Sequence, residues 1–207
     1  MNNERKRGNV MNLPNKLTVM RIILVPFYIF FLLMPGIPHH YLIALAIFGI
    51  ASYTDHLDGK IARKYNMITD FGKFADPLAD KIMILAALAC FIQLGLTNAV
   101  VITIVVSREF MVTAIRLVAS AKGKVVAANN WGKAKTISQI AAVLLVMLLQ
   151  YILELGRMNL IQLENIDALT NIFSIIGEVA IWISVLFTVI SGVIYMVQNF
   201  EFIKNAK

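Results

Sequence analysis

Four aspartates carry the chemistry that this sequence offers most clearly. Asp55 and Asp58 are three positions apart, and Asp76 and Asp80 are four apart. On a helix these spacings put each pair on one face, within about 60° and about 40° of arc respectively. Four carboxylates brought close together stay ionised in a low dielectric only with cations beside them. Arg63 and Lys81 can supply part of that positive charge. Clustered hard oxygen ligands suit Mg²⁺, Mn²⁺ or Ca²⁺ better than zinc. Paired carboxylates that hold two such ions serve phosphoryl chemistry, where the cations neutralise phosphate and stabilise the leaving oxygen. Gly59 follows Asp58, and Gly72 lies one turn before Asp76. A helical glycine costs about 1 kcal/mol against alanine, which the close approach of a phosphate-sized ligand would justify. Close packing of membrane helices by small residues is the competing account.

The segments that must position these acids are strongly apolar. The chain has 207 residues, 59% of them hydrophobic, and a mean hydropathy of +0.75. A soluble domain is usually about 45–50% apolar, and the excess here lies in long runs. Runs of roughly 20 residues are what a bilayer-spanning helix needs. Six fit, at 17–35, 41–64, 73–96, 98–120, 134–155 and 171–199. The expected fold is therefore all-α, a polytopic membrane protein of six transmembrane helices. "PGIPHH", "GLTN" and "ENIDALTN" mark breaks between runs. "NLPNK" at 12–16 reads as an interfacial entry, with Pro14 opening the first helix. Pro26 is expected to kink the first span, or to sit where a neighbour satisfies the freed carbonyl. A basic tail, 1–11, would precede a single membrane domain, 12–207.

The net charge is +7. No solvated basic domain carries it, so a membrane surface or an anionic substrate fits better than nucleic acid. The one cysteine, Cys90, excludes an intramolecular disulfide. No small-residue cleavage site follows the first apolar run, which reads as a retained span. The basic residues set the orientation. Arg5, Lys6 and Arg7 precede the first run, while Lys60, Arg63, Lys64 and Lys73 lie between the second and third. Lys122, Lys124, Lys133 and Lys135 lie near the link between the fourth and fifth, and the alternate loops hold only Arg157. This bias puts both termini and all four aspartates on the cytoplasmic side of the cell membrane.

The acids belong to the longer pattern D-x2-D-G-x2-A-R-x8-G-x3-D-x3-D, which uses Asp55, Asp58, Gly59, Ala62, Arg63, Gly72, Asp76 and Asp80. Its chance frequency is roughly 10⁻¹⁰ per starting position at average composition. The pattern resembles the signature of the CDP-alcohol phosphotransferases, with every fixed position matched. The resemblance implies an enzyme that joins a CDP-linked lipid to an alcohol and releases CMP. It implies two divalent cations, Mg²⁺ or Mn²⁺, on Asp55, Asp58, Asp76 and Asp80. Asp80 would also be the general base for the attacking hydroxyl. Gly59, Ala62, Arg63 and Gly72 would line the CDP-lipid pocket, and the protein would be a homodimer.

The signature does not choose the alcohol. "NLPNKLTVMRIILVP" at 12–26, "SREFMVTAIR" at 107–116 and "WGKAKT" at 131–136 resemble segments of bacterial family members that use glycerol 3-phosphate, with CDP-diacylglycerol as donor. By that similarity Asn15, Thr18 and Arg21 contact the nucleotide. A phosphorylated acceptor needs cations, and Arg108, Arg116, Lys133 and Lys135 are the candidates. Arg108 lies inside the fourth run, where an unpaired charge costs at least ~2.5 kcal/mol. A structural ion pair with Glu109 is the competing reading there. For Lys133 and Lys135 it is snorkelling at the interface.

Two further classes of function remain open on the residues. One is a same-family transferase with another acceptor, such as phosphatidylglycerol or inositol phosphate. The other is a divalent-cation transporter, although such sites lie near the bilayer midplane between repeats, and no repeat is seen. His39 and His40 fall on an outer loop and are expected to be solvated. His56, about 100° from Asp55, is a weak ligand candidate. Glu178 is an isolated acid in the last run.

Overall fold

In lipid every backbone polar group must be satisfied within its own segment, so long apolar runs form helices. The computed structural model describes residues 13–65, 70–122 and 130–200, apart from the side chains of 13–14, 56–65, 70–77, 80 and 121. Six helices follow one another among the described residues: α1 (Leu13–Leu33), α2 (His40–Tyr65), α3 (Asp70–Gln93), α4 (Ala99–Ala121), α5 (Asn130–Arg157) and α6 (Ile166–Gln198). They are the six expected runs with shifted ends. α5 and α6 each begin earlier than hydropathy indicates, because a helix continues into polar residues that an apolar window does not register. The expected interfacial entry is likewise the first turn of α1, with Pro14 inside it. The basic tail lies outside the described residues. α1 runs unbroken through Pro26, which is exposed.

Three helices combine the length and apolarity of a bilayer crossing among the described residues, over Asn15–Leu33, Asn130–Arg157 and Ile166–Gln198. α4 is also long enough, but it carries Arg108, Glu109 and Arg116. On α6 the usual pattern of a soluble helix is inverted. Ile175, Val179, Trp182, Leu186, Val193 and Val197 are exposed, while Ser184, Thr188 and Ser191 are buried. An outward apolar face with the polar stripe inside is favourable only when lipid surrounds it. The protein is a membrane protein.

Contacts divide the chain into two compact units, Met1–Ala86 and Ala87–Lys207. In the first, α1 and α2 pack antiparallel. α1 buries one stripe at three- and four-residue spacing: Asn15, Thr18, Arg21, Val25, Tyr28 and Leu32. α2 answers with Tyr41, Ala44, Phe48 and Ala51. The Tyr28 and Phe48 rings meet with centroids 5.8 Å apart. His40 corrects the expectation of a solvated loop: it is buried at the start of α2, its ring centroid 4.3 Å from that of Tyr41.

The second unit begins within α3, which ends in a Schellman turn. Leu96 N–H donates to the Phe91 carbonyl at 2.8 Å and Gly95 N–H to that of Ile92 at 3.0 Å. This requires Gly95 at φ +71°, a conformation that suits glycine. Asn98 then caps α4, its side-chain oxygen accepting from Val100 N–H at 3.0 Å. "GLTN" is thus a stop and a start signal in four residues. α5 and α6 pack together along most of their length, and α4 packs on α6 through Val112, Ile115 and Tyr195.

Candidate active site

In the first unit the polar half of the α1 stripe faces the end of α2. Arg21 is 3% exposed. Its Nη1 donates to Asp55 Oδ1, and its Nη2 to Thr18 Oγ1 at 3.5 Å. A buried guanidinium is tolerated only when paired, and here the partner is the first aspartate of the signature. Two turns further along α1, Tyr28 meets Phe48, two turns back along α2. The register is therefore constant, and one more turn puts the backbone of Asp58 level with that of Thr18. Asn15, Thr18 and Arg21, three expected nucleotide contacts, thus share one buried face leading to the acids.

Asp55 and Asp58 lie in the unbroken helix α2, and Asp76 and Asp80 in the unbroken helix α3. The three- and four-residue spacings are therefore true helical spacings. The side chains of Asp58, Gly59, Ala62, Arg63, Gly72, Asp76 and Asp80, and of His56, lie outside the described residues. Asp55 fits a cation-binding role. It is half-exposed and held by a cation, Arg21. Its oxygens are hard donors of the kind that a divalent ion takes.

The second unit gathers the expected acceptor cations on α4 and α5, against α6. Arg108 Nη1 donates to Glu109 Oε1 at 2.9 Å, so the ion pair weighed for Arg108 is formed. Its Nη2 donates to Ser191 Oγ at 2.7 Å. Lys135, 7% exposed, donates to the same Glu109 oxygen at 2.5 Å. One carboxylate oxygen thus pairs with two cations, the buried Lys135 and the part-buried Arg108. Gly192 makes room for this arrangement: a Cβ there would come within 3.0 Å of Arg108 Cγ. Arg116 donates through Nε to Tyr195 Oη at 3.1 Å, its guanidinium carbon 5.5 Å from that ring's centroid. Lys133, two residues before Lys135 on α5, is exposed. Glu178 faces outward beside Trp182 and takes no part.

Sequence reasoning took Glu109 only as a foil for Arg108 and missed Ser191 and Tyr195. A signal for the last two was present. Ser184, Thr188, Ser191 and Tyr195 recur at helical spacing in an otherwise apolar run, the pattern of a face turned from lipid.

The chain is thus helical and membrane-spanning, with the acidic signature on α2 and α3 and a cluster of cations on α4 and α5. Residues 11–190 fit the CDP-alcohol phosphatidyltransferase family, and the chain belongs to it. It is a transferase, and enzymes of this family are in general metal-dependent. Among curated proteins, it is 39% identical to the CDP-diacylglycerol–glycerol-3-phosphate 3-phosphatidyltransferase of Bacillus subtilis (strain 168), over 95% of this chain and 100% of that one. The protein of the same name from Rickettsia bellii is 32% identical, over 89% of this chain and 93% of its own. That of Haemophilus influenzae is 40% identical, over 63% of this chain and 72% of its own.

Proposed function

We propose that the protein transfers the phosphatidyl group of CDP-diacylglycerol to glycerol 3-phosphate, giving phosphatidylglycerophosphate and CMP in phospholipid synthesis. The observation that carries this reading is the complete signature on two unbroken helices, in a chain whose full-length relatives bear the name of that reaction. The Arg108–Glu109–Lys135 cluster, which brings two cations to one carboxylate, supports a phosphorylated acceptor.

Each group then has a task. Asp55, Asp58, Asp76 and Asp80 would hold two divalent cations, Mg²⁺ or Mn²⁺. When bound, those ions supply charge neutralisation at the pyrophosphate and at the departing CMP oxygen. Asn15, Thr18, Arg21, Gly59, Ala62, Arg63 and Gly72 hold the CDP moiety. Arg108, Arg116, Lys133 and Lys135 hold the acceptor's phosphate, so that the attacking hydroxyl is already oriented. That hydroxyl oxygen forms a bond to the lipid-bearing phosphorus, the bond from this phosphorus to the CMP oxygen breaks, and Asp80 receives the hydroxyl proton. Six crossings, with both termini and the acids on the cytoplasmic side, bring a soluble acceptor and a membrane donor to the same interface.

The test is CMP release by the purified protein in detergent, from CDP-diacylglycerol with Mg²⁺ or Mn²⁺. Glycerol 3-phosphate, phosphatidylglycerol, inositol phosphate and serine are compared, each with and without EDTA. Release with glycerol 3-phosphate alone, abolished by EDTA, is expected. Release with a different acceptor would retain the family chemistry and discard this acceptor.

A further inference from the structure

Three buried side-chain polar atoms in the second unit, Thr97 Oγ1, Arg108 Nε and Gln139 Oε1, have no hydrogen-bond partner among the described residues, and the last two are complementary. One is a donor, Arg108 Nε, and the other is an acceptor, Gln139 Oε1. Gln139 is on α5, one turn beyond Lys135, and is 2% exposed. The direction of its amide follows from its neighbour. Thr188 has a single hydroxyl proton and gives it to the Ser184 carbonyl at 2.8 Å. Towards Gln139 the Thr188 oxygen can therefore only accept, and it does so from Gln139 Nε2 at 3.2 Å. The amide nitrogen is committed, so Oε1 is left as a fixed, unspent acceptor. Arg108 has likewise committed Nη1 to Glu109 and Nη2 to Ser191. Thr188 and Ser191 are neighbouring turns of one face of α6, so the spare donor and the spare acceptor are held against the same stretch of helix.

A buried amide oxygen and a buried guanidinium N–H both cost stability while unmet. A hydroxyl group meets both at once, since it donates to one and accepts from the other. It would do so beside the cations Arg108 and Lys135. We propose that Gln139 is a specificity-determining residue of the acceptor site. It accepts a hydrogen bond from the middle hydroxyl of glycerol 3-phosphate, which in turn accepts from Arg108 Nε–H. This rests on the acceptor reading above and adds to it: the site reads a hydroxyl next to the phosphate, as well as the phosphate itself.

The test compares glycerol 3-phosphate with 3-hydroxypropyl phosphate, which lacks only the middle hydroxyl, by kcat/KM for CMP release. A site built to bond a substrate hydroxyl discriminates strongly against the analogue without it. Wild-type protein is expected to prefer glycerol 3-phosphate by about 100-fold or more. In Gln139→Met, which keeps the length and loses the acceptor, the preference should fall to within about threefold through loss on glycerol 3-phosphate. Thr188→Val, which frees the amide to turn, should weaken the preference partway, and it carries the test if Gln139→Met does not fold. A purely structural Gln139 would lower both acceptors together and leave the ratio intact, which would overturn the proposal. So would wild-type protein that uses both acceptors equally well, although glycerol 3-phosphate would then remain the acceptor. If wild-type protein used neither, the acceptor reading itself would fall.

Discussion

A guanidinium as buried as that of Arg21 stays in a membrane protein only with an anion against it, and the anion chosen is Asp55. The signature aspartate is thereby oriented from a neighbouring helix. Spacing along the chain pointed to Arg63 and Lys81 as partial neutralisers and did not point to Arg21, because it weighs only what is near in sequence. The same limit applies to Glu109. Its adjacency to Arg108 was legible, but its bond to Lys135 was not. The prediction proper to this scale concerns Asp80. Asp80→Asn keeps the shape and removes the charge. It should lower CMP release at least about 10³-fold, the middle of the range for a lost general base, while the unfolding midpoint in detergent stays within a few degrees. Activity near the wild-type level would remove Asp80 from both the base role and the cation set.

At the scale of elements, the helices owe their limits to short-range signals that survive inside an apolar sequence. Gly95 terminates α3 and Asn98 starts α4, with donors and acceptors met inside the turn. Replacing Asn98 by alanine should cost about 1 kcal/mol of stability, or about 2–4 °C in the unfolding midpoint for a chain of this size. Thermal unfolding in one fixed detergent measures it, and an unaltered midpoint would mean that water caps α4 equally well. The site residues within each helix were legible for a related reason: Asp55 and Asp58 share a turn of α2 whatever packs against it. The starts of α5 and α6 were not, since their first turns are polar and their helicity continues from residues further along.

For the whole molecule, the relevant physics is that of the bilayer. α6 turns its apolar residues outward and its hydroxyls inward, and the basic residues collect on alternate connections. The expected orientation can be checked with cysteine reporters in a Cys90→Ala background. Asn3→Cys and Asn205→Cys should react with an impermeant reagent only in inverted vesicles, and Leu160→Cys only in intact cells. The opposite pattern would invert the topology and separate the acids from a cytoplasmic acceptor. Taken alone, the sequence determined the helical class, the six segments and the aspartate spacing. Each of these is a property of contiguous residues: hydropathy over a window, or arc around one helix. Only the tertiary structure decided that Arg21 clamps Asp55, that one oxygen of Glu109 serves two cations, and that Gln139 keeps an acceptor in reserve. Those pairings join residues from different helices, and they depend on which faces meet and in what register, which no local spacing specifies.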